Sequence, residues 1–163
     1  MASPRLHENV IAERIVQLIR DNLAGVLGLK TVALGALEFF PALESLADQV
    51  PAVFVKPAPS TALERITTGQ TYRIVYSFRI VFAKPFGPDE EIVRSKVEAA
   101  QKIAELLIDH VDLGGLALQN GQVLFSILKS IEWEPPEDNL VATINAGITA
   151  AAFVFAVETT SRK

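Results

Sequence analysis

The sequence predicts an α+β domain, a mainly antiparallel sheet of about four strands with two helices packed on one face. Three observations carry that expectation. The stretch Thr71–Ala83 alternates at a period of two, with Tyr72, Ile74, Tyr76, Phe78, Ile80 and Phe82 on one side and Arg73, Val75, Ser77, Arg79 and Val81 on the other. Two long segments, roughly Pro4–Leu23 and Pro88–Asp112, instead repeat apolar residues at helical spacing. Two more alternating stretches, Gln122–Glu134 and Val141–Thr159, close the chain around a polar breaker.

Taken in order, the first helix has a start signal at Ser3-Pro4, a capping hydroxyl followed by proline. Its stripe is Ile11, Ile15, Leu18, Ile19, Asn22 and Val26, with Gly25 and Gly28 as stop signals. Residues 31–34 (Thr-Val-Ala-Leu) read as a short strand before a bend at Gly35, and residues 39–47 as a loop with a helical turn. Pro51–Lys56 reads as a short strand opened by proline. The stretch 57–69, with two prolines, hydroxyls and a glycine, is too long for a tight hairpin and reads as a contact loop.

After the long strand, Lys84–Pro88 is a turn, and Asp89, Glu90 and Glu91 favour the positive end of the next helix. That helix shows Val93, Val97, Ala100, Ala104, Leu107 and Val111, widened by Ile92, Ile103 and Leu106, and Gly114-Gly115 ends it. In Gln122–Glu134, Val123, Phe125, Ile127, Ile131 and Trp133 share one face, and Lys129 breaks the series. Residues 135–139 (Pro-Pro-Glu-Asp-Asn) form a hairpin loop. The last strand is apolar on both faces, with Ile144, Ile148 and Val154 on one and Phe153, Phe155 and Val157 on the other.

Bulk properties bound the function. At 163 residues the chain is expected to be one domain, residues 1–163, with neither repeats nor low-complexity tracts. The absence of cysteine removes disulfides, thiolate metal sites and cysteine nucleophiles. A net charge of −4 argues against a nucleic-acid-binding body, because phosphate affinity rests on Lys and Arg. Glu8, Glu13 and Arg14 interrupt any signal-peptide run, and Ile144–Val157 is shorter than the ~20 residues of a membrane-spanning helix, so a soluble chain with no membrane partner is expected.

No legible catalytic chemistry emerges. The two histidines, His7 and His110, lack partners at useful spacing, and His110 suits a helix end. Asp109 and Asp112 stand at i−1 and i+2 from His110, off a common helix face. Glu132, Glu134, Glu137 and Asp138 lack the glycine and spacing of a calcium loop and read as a solvated turn. There is no Gly-Lys-Ser/Thr triplet and no Gly-x-Ser-x-Gly elbow. Tyr72, Tyr76 and Phe78 could stack on RNA bases, but sharing a face with Ile74 and Ile80 makes them core. No residue is therefore expected to serve as a catalytic, cofactor-binding or metal-ligating group, and an enzyme is not expected.

The apolar surplus is the informative feature. Half the residues are hydrophobic and the mean hydropathy is +0.31. Two helices cover one sheet face, so the other needs a different cover, and a neighbouring subunit is the economical answer. The candidate subunit interface is Arg73, Val75, Arg79, Val81, Phe153 and Phe155.

The first helix, Val50–Val55 entering a sheet, and the strand Tyr72–Phe82 leading through a proline turn to a long amphipathic helix and a terminal hairpin resemble the tail terminator (tail completion) proteins of long-tailed bacteriophages. The resemblance is one of layout over most of the chain. It implies a structural protein, a hexameric ring that caps the tail tube, ends its polymerisation and joins the head connector, with DNA passing through without specific binding. It further implies a place at the head-tail junction of the virion after assembly in the host cytoplasm, with no cofactor. Lys56, Glu64, Arg65, Glu137 and Asp138 then become candidate contacts to the tube or connector. Two other readings stay open: a head-completion or neck protein of the same machinery, and a small-molecule-binding oligomeric α+β domain.

Overall fold

The computed structural model describes residues 6–35, 48–58, 61–65, 71–85, 89–139 and 147–162. Helix α1 (Glu8–Leu27) leads into β1 (Thr31–Leu34), β2 (Ala52–Pro57), β3 (Ala62–Arg65) and β4 (Thr71–Pro85). Helix α2 (Asp89–Asp109) follows, then β5 (Ala117–Leu118), β6 (Gly121–Glu132), a 3₁₀ turn (Pro136–Asn139) and β7 (Ile148–Arg162). The expected α+β class is present. Among the described residues, however, the sheet has seven strands rather than about four, in the order β1-β2-β4-β7-β6-β5 with β3 also on β4. All pairs are antiparallel except β1 with β2.

The extra strands arise from unmet backbone demand. β4 and β7 are each 15 residues long and pair over their whole length. β2 covers only Phe78–Ala83 of β4's other edge. β3 pairs with Tyr72–Val75 further along it, so the amide groups there are also satisfied. Residues 57–69 are thus not one loop: Ala62–Arg65 is a strand, and a polar sequence is recruited by a long neighbour.

Both helices pack on the same side. Ile11, Ile15, Ile19 and Leu23 of α1 and Ala100, Ile103 and Leu107 of α2 join Ile74, Phe78, Ile80, Phe153 and Phe155 of the sheet in one buried cluster. The even-numbered face of β4 is buried as its alternation requires. Helix α1 starts at His7 rather than at Ser3, and residues 1–5 lie outside the described residues. Its stripe ends on Leu23, with Asn22 and Val26 exposed. The helix runs through Gly25 to Gly28, which takes the left-handed conformation (φ 63°) while Leu29 N donates to Ala24 O. The buried face of α2 keeps Ala100, Ile103, Ala104 and Leu107 of the expected stripe, but Val93 and Val111 at its ends are exposed, and Lys96 and Ala99 are buried in addition.

Polar ties fix the layers. Tyr76 is fully buried, and its hydroxyl accepts a hydrogen bond from His7 N at 3.0 Å, holding the first turn of α1 to the sheet. Arg14 of α1 donates from Nε to Leu113 O at 2.9 Å and from its guanidinium to Gly114 O at 3.2 Å, capping the turn after α2. Arg20 donates to Val32 O at 2.6 Å, tying α1 to β1.

β6 departs from simple alternation. Its ladder with β7 shifts between Val123 and Phe125 and again between Leu128 and Ser130. Each bulge adds a residue and flips the pleat. Val123, Leu128 and Ile131 therefore pack against the helix-side core, while Phe125 and Ile127 take the opposite face. The expected common face of Val123, Phe125, Ile127, Ile131 and Trp133 is corrected accordingly. β7 begins at Ile148, and the part of the expected strand at residues 141–146 lies outside the described residues.

Candidate subunit interface

The sheet face away from the helices is built from alternate residues of its central strands. β4 contributes Arg73, Val75, Ser77, Arg79 and Val81, as its alternation predicts. Their partners across the ladder are Thr160, Glu158, Ala156, Val154 and Ala152 of β7. Beyond β7, the bulged β6 adds Phe125 opposite Glu158 and Ile127 opposite Ala156.

This face has two halves. Phe54, Val81, Ala83, Ile148, Ala150 and Ala152 form a second cluster, each no more than 2% exposed. Around Val75 the face is open. Val75, Phe125, Ile127 and Ala156, together with Arg73, Lys129 and Glu158, line a depression of about 260 Å³. Ile127 is 47% exposed within it. Side chains of this type at the centre and charge at the rim suit a protein contact.

Two arginine-centred ion clusters divide the face. Arg73 pairs with Glu158 and, at 3.3 Å, with Glu64. Arg79 donates to Glu137 Oε1 and Oε2 at 2.5 and 2.7 Å, a bidentate arrangement, and lies 2.7 Å from Glu132. Burial is the largest single influence on the Glu137 carboxylate and works against its charged form, but the Arg79 hydrogen bonds, a backbone hydrogen bond and the positive charges of Arg79 and Lys56 together hold the group below the ordinary carboxylate range. The hydrogen bond from Arg73 does the same for Glu158.

The sequence-derived interface residues separate on this geometry. Arg73, Val75 and Arg79 stand together on the face, and Val81 is buried in its closed half. Phe153 and Phe155 are corrected: opposite Ile80 and Phe78 in the ladder, they point to the helices and are fully buried core. Of the candidate contacts, Lys56 lies opposite Arg79 in the β2–β4 ladder, Glu64 is paired with Arg73, and Arg65 is opposite Tyr72 in β3. Glu137 is not a free loop acid but 8% exposed and engaged, while Asp138 lies beside it in the 3₁₀ turn. Sequence reasoning missed Phe125 and Ile127 on this face; Lys129, where the apolar alternation broke, marks the second bulge.

No group of three or more His, Cys, Asp or Glu among the described residues is placed to hold a metal ion. His110 Nδ1 lies 2.8 Å from Leu106 O within its own helix end, and His7 is buried at the start of α1. No helix among the described residues is long and apolar enough to cross a membrane.

No family model and no curated protein sequence matches the chain. Its fold is similar to that of a chain in the virion of a native gene transfer agent particle, with a TM-score of 0.56. The two are 16% identical, and the match covers 93% of this chain and 97% of the other. At that identity the likeness is one of fold, and it extends over nearly the whole of both chains.

Proposed function

We propose that this chain is a structural ring protein of a phage-type virion, which caps the tail tube, ends its polymerisation and forms the joint to the head connector. The observation that carries the reading is the open half of the second sheet face, an apolar surface with charged margins and no chemistry around it. The fold likeness to a virion chain over 97% of that chain's length supports it. In this reading a second copy covers Val75, Phe125 and Ile127, and repetition closes a ring, the hexamer of the family it resembles. Partners are further copies, the tube protein and the connector protein, at the head-tail junction, with assembly in the host cytoplasm. The acidic chain lets DNA pass without holding it. Glu64, Arg65, Lys56 and Asp138 are proposed for contacts beyond the ring, whereas Glu137 is already committed to Arg79.

Native mass determination with negative-stain imaging, alone and with purified tail tubes, tests the proposal. Closed rings, or copies seated at a tube end, are expected. A chain that stays monomeric at micromolar concentration and ignores tube ends would overturn it. A chain that binds connectors but not tubes would replace the cap with a neck protein.

A further inference from the structure

The segment joining β6 to β7 is tied down from both sides of the sheet. On the helix side, buried Lys96 of α2 donates to Trp133 O at 2.6 Å and to Thr149 Oγ1 at 3.0 Å. Pro135 is buried next. The 3₁₀ turn then packs against β7, and Glu137 accepts both Arg79 hydrogen bonds on the opposite face. The segment therefore passes around the end of the sheet. Charged groups from several elements meet at its far end: Arg79 from β4, Glu132 from β6, Glu137 from the turn, and Lys56 of β2, whose charge acts on Glu137.

We propose that the Arg79 cluster is a latch that fastens residues 133–139 to the second sheet face and sets the border between its closed and open halves. Two features make it a latch rather than ordinary packing. The bidentate pair joins residues 58 apart in sequence, and it is a charged contact that spans from a central strand of the sheet to the turn. Arg79 also stands between two carboxylates, so removing its charge leaves Glu132 and Glu137 facing each other at a partly buried site. That the latch limits the surface offered to a second copy rests on the function proposed above; the latch itself does not.

Hydrogen exchange of the full chain, read by mass spectrometry, tests it on wild type, Arg79→Gln, Glu137→Gln and, as control, Arg73→Gln. Loss of a charge-assisted pair of this kind should speed exchange in residues 133–139 by about tenfold or more, with β4 and β7 still protected. Arg73→Gln, which breaks a pair elsewhere on this face, should leave the segment unchanged. Wild-type exchange in both latch variants would overturn the proposal, as would loosening that spreads equally through β4 and β7 or appears equally in Arg73→Gln. Where Arg79→Gln does not fold, Glu137→Gln decides by the same criteria. Ring formation plays no part in these readouts, so a chain that never assembles but loosens at residues 133–139 keeps the latch and loses only the proposed function.

Discussion

Replacing Tyr76 by Phe tests how the first helix is held to the sheet. The ring is fully buried, and its hydroxyl accepts the His7 amide at 3.0 Å. Phe keeps the ring and its apolar packing but removes that acceptor from a buried N–H. A loss of this kind costs about 2 kcal/mol, within the range for leaving a buried donor without its partner. For a chain of this length it lowers Tm by about 4–8 °C. Hydrogen exchange should localise the loss to the first turn of α1. The pH dependence supplies a second, independent check. Burial raises the Tyr76 pKa above its ordinary value, so the folded state resists ionisation and the unfolded chain ionises first. Wild type therefore loses stability as pH rises past about 10, whereas the Phe variant has no such group to ionise. The stability gap between them should be largest near neutrality and should narrow in alkali. Equal stability at neutral pH, or a gap that widens in alkali, would refute the reasoning.

Four further outcomes follow from the same geometry. Val75→Glu, on the open half of the second face, should abolish self-association in native mass measurements while helix content by circular dichroism stays unchanged. Phe155→Ala should instead cost about 3–5 kcal/mol in denaturant unfolding, because the residue is fully buried core. Gly121→Ala would bring a Cβ within 2.5 Å of Thr160 O, forcing the β6–β7 ladder apart and costing about 1–3 kcal/mol in a thermal melt. Glu137 has a depressed folded pKa, so its contribution is present above the ordinary carboxylate pKa and lost as pH falls through the folded value. Glu137→Gln should accordingly flatten the acid limb of the stability–pH curve relative to wild type.

Much of the candidate face was legible because β4 is a strand whose period never breaks. Its even residues went to the helices and its odd residues to the other side, so Arg73, Val75 and Arg79 were placed from sequence alone. β6 was misread because its two bulges reset the pleat, and periodicity carries no record of an inserted residue until the partner strand is known. β3 was missed for a related reason. Ala62–Arg65 has little strand character of its own, and pairs because β4 extends past the end of β2. The ion clusters were invisible for want of proximity: Arg79 and Glu137 are 58 residues apart, and only the fold brings them within hydrogen-bonding distance.

By itself the sequence determined the class, the two amphipathic helices, the buried face of β4 and the surplus of apolar surface, because periodicity and composition are local properties of the chain. The tertiary structure decided which face each phenylalanine of β7 serves, since a strand apolar on both sides is oriented only by its partner's register. It also decided that half of the second face is already closed within the chain. What is left open, around Val75, Phe125 and Ile127, depends on bulges and long-range ion pairs that arise only when distant segments meet.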